Sequence, residues 1–398
     1  MKKKNTVNFY DAIIIGAGAA GLMCAIQAGK RGRKTLLLEG SEAVGKKIRI
    51  SGGGRCNFTN LNIRLDNFLS QNSSFAISAL KRFTQADFIS LINKHQIAYH
   101  EKTLGQLFCD GSSQQIIDML LKECDENNVK IILNNKVENI KKEARNFSLK
   151  TNDGDFNSHS LVIATGGLSI PKMGATDFGY KIAQEFGLKI IPPTPALVPF
   201  TLCPKILEET KKLAGVSVFA SVKIGNVIFT EGLLFTHKGL SGPVILQISS
   251  YWKKGQKITI NLAPKIDIFT WLEDKKNNNA KQDIHNLLAD LLPKSLAFFI
   301  LSKINIKGWL ADLSNKKLKI IAQNINNWEV IPNGTEGFSK AEVTLGGVDS
   351  NEISSKTFES KKVKNLYFIG EVLDITGHLG GYNFQWSWSC GFAAGQFI

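Results

Sequence analysis

A strand–turn–helix–strand run near the start constrains this chain most. Residues 11–15, Asp-Ala-Ile-Ile-Ile, are apolar enough to form a strand buried on both faces. The turn Gly16-Ala17-Gly18-Ala19-Ala20-Gly21 follows and opens a helix over 19–31. Residues 34–39 read as a second buried strand. A βαβ unit of this kind implies a parallel sheet. The spacing of the three glycines has a physical basis. Gly16 makes the turn, Gly18 lets a pyrophosphate approach the backbone, and Gly21 allows the helix to pack closely on the strand. The helix start adds free N–H groups and partial positive charge.

Glu39 ends the second strand, 18 residues after Gly21. A carboxylate there accepts hydrogen bonds from a ribose 2′-OH and repels a 2′-phosphate, so the site favours FAD or NAD over NADP. Three further segments decide for FAD. Ile163-Ala164-Thr165-Gly166-Gly167 is a strand ending in a tight turn. Ser51-Gly52-Gly53-Gly54-Arg55-Cys56-Asn57 sets three glycines beside polar groups. Gly370-Glu371-Val372-Leu373-Asp374 follows a buried strand and leads to Gly380-Gly381-Tyr382-Asn383 and a helix. That helix start can aim its N–H groups at the flavin end.

The rest of the chain organises around this site. Its 398 residues suggest two to three domains, and 35 glycines against 10 prolines suggest tight turns at ligands rather than linkers. Helical patterns fall near 75–95, 112–128 and 177–187, and strands near 129–133, 145–150 and 160–164. Pro192-Pro193-Thr194-Pro195 marks a boundary. Residues 197–262 read as short alternating strands with turns at Gly215, Gly225 and Gly232. Residues 267–330 read as helices, including 283–300 and 316–328, with Asn277-Asn278-Asn279 as a surface turn. Residues 341–348 are ambiguous, 365–369 regain buried-strand character, and a helix closes the chain near 383–397. The fold class expected is α/β: a doubly wound Rossmann-type FAD-binding domain formed by 1–190 and 341–398. The inserted domain at 191–340 is expected to be β-rich over 191–262 and helical over 263–330.

The charge is strongly basic. There are 49 Lys and Arg against 34 Asp and Glu, a net charge of +15. Such a balance suits a polyanion such as nucleic acid, or a membrane surface. Only seven of the basic residues are Arg, none beyond Arg145, so a compositional bias toward lysine explains it as well. The six cysteines, Cys24, Cys56, Cys109, Cys124, Cys203 and Cys390, form no CxxC pair and no cluster with histidine. A reducing compartment and no metal site are expected. Lys2-Lys3-Lys4 before an apolar run imitates a signal peptide, but Asp11 and the glycines interrupt it. The reading is a cytoplasmic protein with no membrane partner.

The motifs GAGAAGL (16–22), KKIRISGGGRCNFTN (46–60), IATGG (163–167), TPALVPF (194–200), FTHKGLSGPVILQIS (235–249), EVTLGGV (342–348) and GEVLDITGHLGGYNFQWSWSCGFAAG (370–395) run in order along nearly the whole chain. Together they resemble the BaiN/RdsA family of bacterial FAD-dependent NAD(P)H oxidoreductases, the aminoacetone-oxidase-like flavoproteins. The resemblance implies one discontinuous FAD domain and an inserted domain with a β-barrel-like part and a helical part. The resemblance implies that Gly16, Gly18, Ala19, Ala20 and Gly21 hold the pyrophosphate and Glu39 the adenosine ribose. It puts Val137 near the adenine, and Thr165 and Gly166 near the pyrophosphate. Lys46, Ser51, Gly52, Arg55, Cys56 and Asn57 would line the ribityl and flavin side. Gly370, Glu371 and Asp374 would lie near the ribityl phosphate, and Gly381, Tyr382, Asn383 and Phe384 near the ring.

The chemistry expected is hydride transfer from NAD(P)H to the flavin and on to an unsaturated acceptor. Carbon–carbon reduction needs a proton donor. Cys56, beside Arg55, is the first candidate, and Tyr382 is the second. Burial under the flavin and ring packing are the competing roles for these two. His237 and His378 read as structural or flavin-region residues, and Trp386 and Trp388 as core. Family members are associated with dihydrouridine formation in large-subunit ribosomal RNA, which makes that RNA the favoured substrate. The inserted region carries 19 Lys against 11 acidic residues. The alternatives are a small-molecule flavoenzyme, oxidising an aminoketone or reducing a steroid-like enone, and a flavin-binding protein without turnover.

Overall fold

The computed structural model describes residues 8–278 and 281–398. Lys2-Lys3-Lys4 and Asn279 lie outside the described residues. By contact the chain divides into two units, 1–194 with 343–398, and 195–342.

The larger unit begins with β1 (Asn8–Ile15), α1 (Ala19–Lys30) and β2 (Thr35–Leu38). It continues through α2 (Lys46–Ile50), β3 (Asn57–Asn60), β4 (Phe68–Leu69), α3 (Ile77–Arg82) and α4 (Gln85–Lys94). Then come β5 (Tyr99–Glu101), β6 (Gln106–Cys109), α5 (Gln114–Glu126), β7 (Lys130–Ile132), β8 (Val137–Glu143), β9 (Asn146–Thr151), β10 (Gly154–Ile163), α6 (Phe178–Glu185) and β11 (Ile190–Ala196). The single helix expected over 75–95 is two. Thr84 breaks it by accepting from the Asp87 N–H while the Asp87 carboxylate accepts from the Thr84 N–H. That reciprocal cap starts α4 afresh.

Strands β7, β2, β1 and β10 lie side by side, all parallel. Ile13 and Ile14 point to opposite faces of β1, and both are wholly buried, so both faces of the sheet are covered. β10 is longer than its apolar end suggested. Its polar first half turns back antiparallel on β9, and β9 on β8, while its last three residues pair with β20 (Leu366–Phe368). β3, β6 and β5 form a separate antiparallel sheet. After the second unit the chain returns through β19 (Val343–Val348), which pairs with β11. β21 (Thr376–Gly377) pairs with β4, and α13 (Tyr382–Gly395) packs along α1. The two helices touch closely because Gly391 has no side chain; a Cβ there would stand 2.4 Å from the Ala20 carbonyl oxygen.

The second unit holds β12 (Phe200–Thr201), α7 (Pro204–Thr210), β13 (Ser217–Ile224), β14 (Val227–Phe235), β15 (Gly239–Ser241), α8 (Pro243–Ser249) and β16 (Ile258–Asn261). It continues with α9 (Ile268–Asn278), α10 (Ile284–Ala289), α11 (Lys294–Lys303), α12 (Asn315–Asn326), β17 (Trp328–Val330) and β18 (Gly334–Thr335). The strands form one antiparallel sheet in the order β17-β16-β13-β14-β15-β12-β18.

Several sequence expectations for this unit need correction. Residues 197–262 are not strands alone; α7 and α8 interrupt them, each opened by a proline at its first position, where a missing N–H costs nothing. Gly232 is no turn. It lies inside β14 opposite Phe219, and the 242 turn crosses so close that a Cβ on Gly242 would sit 2.6 Å from the Gly232 oxygen. The helix expected over 283–300 is broken at Pro293 into α10 and α11. Trp328 belongs to β17 rather than to a helix, and Asn277 and Asn278 close α9 instead of forming a turn. No helix among the described residues is long and apolar enough to cross a membrane.

Candidate cofactor and active site

The β1–α1 turn is built by contact as its glycines require. A Cβ on Gly16 would stand 2.5 Å from the Ala164 oxygen, and one on Gly21 would stand 1.9 Å from the Gly16 oxygen. Gly21 therefore packs the helix onto the turn itself. Gly18 differs: nothing lies within 4 Å of its Cβ position, and it caps α1 with no side-chain hydrogen bond. The N-terminal end of α1 is thus open on the side where a phosphate would approach. Ala19 and Ala20 form the first helical residues behind it. Glu39 is held beside the turn. One carboxylate oxygen accepts from the Ala17 N–H at 2.9 Å, and the other accepts from Ser41 N at 3.0 Å and Ser41 Oγ at 2.7 Å. Asn135 donates its N–H to the Glu39 carbonyl at 2.9 Å, and Val137 opens β8 two residues on. Both amide atoms of the Asn135 side chain are buried with no hydrogen-bond partner.

Three more segments close on this turn. Gly45 donates to the Ala17 oxygen at 2.9 Å and starts α2. A Cβ on Gly370 would lie 2.9 Å from that of Ala20, which sets the 370–371 turn beside the start of α1. Ala164 donates to the Ile15 oxygen at 2.9 Å, which brings in the 164–167 turn. A polar network locks these parts together. Lys47 Nζ lies 2.7 Å from Glu371 Oε2 and donates to Ser169 Oγ at 2.6 Å. Glu371 Oε1 accepts from the Thr344 N–H and from Ser169 Oγ, both at 2.9 Å. Thr344 Oγ1 in turn accepts from the N–H groups of Leu168 and Ser169. Burial works against the Glu371 charge, yet Lys47, Ser169 and Thr344 together hold its pKa below the ordinary glutamate value.

The second cluster is built from 51–57 and 377–384. Gly52, at φ +58, lies against the Phe108 ring, while Gly53 and Arg55 are exposed. Ser51 Oγ donates to the Ile48 oxygen at 2.9 Å. The Asn57 amide sits among the Thr59 and Leu107 oxygens and the Gly381 N–H, all at 3.2 Å in the orientation that satisfies both its ends. Gly381 has φ +92, and a Cβ there would stand 2.4 Å from the Thr59 oxygen. The start of α13 therefore lies directly on β3. Trp388 Nε1 donates to the Phe58 oxygen at 2.8 Å and fixes the same contact.

Comparison with known proteins places this arrangement. The model of the HI0933-like protein Rossmann domain matches residues 10–397. The chain belongs to that family. The chain is 52% identical over 393 residues to a ribosomal RNA dihydrouridine synthase of Escherichia coli, covering 97% of each chain. It is 46% identical over 395 residues to a ribosomal RNA dihydrouridine synthase of Haemophilus influenzae, again covering 97% of each. It is 28% identical over 407 residues to a 3-dehydro-bile acid delta(4,6)-reductase of Clostridium scindens, covering 96% of this chain and 97% of the other. The larger unit is thus a doubly wound, Rossmann-type domain with the elements of an FAD site.

Within this HI0933-like fold several expected site residues make contacts that the sequence did not show. Cys56 has no exposed surface, and burial pushes its thiol up to about 12; Arg55 is not among the groups that shift it. The expected tuning by a neighbouring cation is absent, and the thiol faces inward beside Cys109. Asn383 spends its amide on the 377–381 loop, accepting from Gly377 N–H and donating to the Gly377 and His378 oxygens. Asp374 is buried, accepts from Gln71 N–H at 2.9 Å, and is pushed above the ordinary aspartate value by that burial. Lys46 turns to Glu42, 2.9 Å away, and its neighbour Lys47 is the cation that pairs with Glu371. The Thr165 hydroxyl is buried toward Gly179, so at the Gly166 turn only its backbone is free to serve a phosphate.

Tyr382 packs its ring edge-on against Phe68 and His378, with 8% of the residue exposed. Phe384 stacks on Trp388, and Trp386 and Trp388 lie in the core. Burial pushes His378 down to about 4, so its imidazole is neutral at pH 7. His237 is exposed in the second unit. Among the described residues no group of three metal-ligating side chains occurs. Sequence reasoning missed Lys47, Asn135, Ser169 and Thr344. Three signals were present: Lys47 lies within KKIRISGGGRCNFTN, Thr344 lies within EVTLGGV, and Ser169 lies two residues beyond IATGG.

Proposed function

We propose that this chain is an FAD-dependent oxidoreductase that reduces a uridine of large-subunit ribosomal RNA to dihydrouridine, with NAD(P)H as electron donor. The observation that carries the reading is the 52% identity to the Escherichia coli ribosomal RNA dihydrouridine synthase across 97% of both chains. The fit of the site to FAD stands on the open face at Gly18, the uncapped start of α1 and the fixed Glu39 carboxylate. Bound there, FAD supplies hydride transfer, the chemistry that saturating the uracil C5–C6 double bond requires.

The chain's own residues bind and orient. The α1 N-terminus and the Gly18 backbone receive the pyrophosphate, and Glu39 the adenosine ribose. Lys47, Glu371, Ser169 and Thr344 hold the surrounding turns in register. Asn57, Gly381 and the start of α13 form the wall on the flavin side. Of the two expected acids, Tyr382 remains the candidate that gives its phenolic proton to the carbon of the C5–C6 pair that does not take the hydride. A ribosomal RNA substrate puts the reaction in the cytoplasm.

A second reading, reduction of a small steroid-like enone, has the relative at 28% identity behind it. One experiment separates the two. Purified holoenzyme with NADH or NADPH is offered large-subunit ribosomal RNA or an enone, and products are analysed by mass spectrometry. Dihydrouridine in the RNA supports the first reading. Enone turnover with unchanged RNA overturns it.

A further inference from the structure

The hairpin between β5 and β6 turns through Thr103, Leu104 and Gly105. Leu104 has φ +59 and Gly105 φ +78, so two successive residues are left-handed. Such positions favour glycine or asparagine, because a larger side chain is strained there. A leucine at this point gains the fold little. Leu104 is 60% exposed and belongs to neither hydrophobic core. Leu61 on the neighbouring turn donates its N–H to the Gly105 oxygen at 2.8 Å and is itself 41% exposed. Strain without packing in return points to a use outside the fold.

The tip is tied to the flavin-side wall. Lys102 N–H closes the turn on the Gln106 oxygen at 2.8 Å. The buried Asn60 amide donates to the Leu104 oxygen at 3.1 Å and to the Gly380 oxygen at 2.9 Å. One side chain therefore joins the tip to the 380–381 turn. Gln106 lies against the same turn; a Cβ on Gly380 would stand 3.0 Å from its Cγ. Tyr382 opens α13 two residues beyond Gly380. A strained apolar side chain thus stands in solvent at the edge of the site.

Reduction of the uracil C5–C6 bond requires one face of the base to lie against the flavin ring. In folded RNA that face is covered by a neighbouring base. The uridine must leave its stack, and the neighbour then loses its partner. Apolar side chains, leucine among them, hold such a step open by entering the gap. We propose that Leu104 is this wedge: its isobutyl group takes the place of the departed uracil against the neighbouring base. The tethered turn keeps the side chain presented. The proposal rests on the RNA reading of the function and adds how the base is reached; a free enone would need no wedge.

The test uses the full-length holoenzyme and its L104G and L104M variants. Glycine suits φ +59, so L104G should melt close to the native temperature, and a loss of function in it is not unfolding. L104M keeps an apolar side chain. The probe is a fragment of large-subunit ribosomal RNA containing the modified uridine. Two versions carry 2-aminopurine, which brightens on unstacking, on the 5′ or the 3′ side of that uridine. With one of them, the native protein and L104M should raise emission at least about threefold and form dihydrouridine at similar rates. L104G should give less than about a third of that rise and react at least about tenfold more slowly. Its flavin content and flavin bleaching by NAD(P)H should stay unchanged. Native emission and native rate in L104G would overturn the wedge and leave the RNA reading standing. A slowed L104G with the full emission rise would also overturn it, since the stack then opens without Leu104. No dihydrouridine formed by the native protein in the fragment or in whole large-subunit ribosomal RNA would overturn the RNA reading and the wedge with it.

Discussion

Lys47 Nζ stands 2.7 Å from the Glu371 carboxylate, across 324 residues of sequence. The pair joins the helix that follows the first turn of the cofactor site to the turn near the end of the chain. Ser169 and Thr344 complete it from two further segments. Lys47→Ala leaves a mostly buried carboxylate without its cation. A fully buried pair broken in this way costs about 3–5 kcal/mol. With Lys47 32% exposed, the loss should be about 2 kcal/mol by denaturant unfolding. Flavin should dissociate at least about tenfold more readily in equilibrium dialysis. A variant with native stability and native flavin retention would show that the pair positions nothing.

Gly381→Ala tests the wall on the flavin side. Its φ of +92 strains any L side chain, and the added methyl would meet the Thr59 oxygen at 2.4 Å. The start of α13 must then leave β3. A cost of at least about 2 kcal/mol is expected, along with a shifted flavin absorption spectrum. An unchanged spectrum would place the flavin away from Gly381.

The two acid candidates separate kinetically. Cys56 is buried and its thiol lies at about 12, so Cys56→Ser should keep turnover within about threefold of the native rate. Tyr382→Phe keeps the ring contacts with Phe68 and His378 but removes the hydroxyl. Turnover should fall by about a hundredfold or more, while flavin bleaching by NAD(P)H continues. The reverse pattern would return the acid role to Cys56.

Much of the larger unit was legible because its signals are local. The Gly16–Gly21 turn, the buried strand before it and Glu39 lie within 32 residues, so spacing alone carried them. Lys47, Ser169 and Thr344 were not legible, because their roles exist only when distant segments meet at Glu371. The state of Cys56 was hidden for the same reason. Sequence shows Arg55 beside it, but burial decides its pKa, and burial is a property of the fold. In the second unit, Gly232 looked like a turn because glycine usually signals one. Its absent side chain instead admits the crossing 242 turn.

Acid stability should report a clamp remote from the cofactor. Glu123 on α5 is buried and meets Lys30 at 2.8 Å, Lys94 at 2.5 Å and His95 at 2.9 Å, which ties α1, α4 and α5 together. Burial alone would raise its pKa, but the three partners bring it from 4.5 to about 2. A carboxylate lowered in the folded state stabilises fully above its unfolded value and loses that contribution as pH falls through the folded value. Native stability should therefore drop between pH 4.5 and about 2, by about 1–2 kcal/mol given the exposed lysines. Glu123→Gln should be less stable at pH 7 and should lose less across that window. Identical pH profiles for the two proteins would contradict the clamp.

Reduction of a ribosomal RNA uridine by this chain is read by mapping dihydrouridine in large-subunit ribosomal RNA from cells with the gene, without it, and with it restored. One modified uridine should disappear on deletion and return with the native gene, but not with the Tyr382→Phe form. Dihydrouridine unchanged by deletion would contradict it.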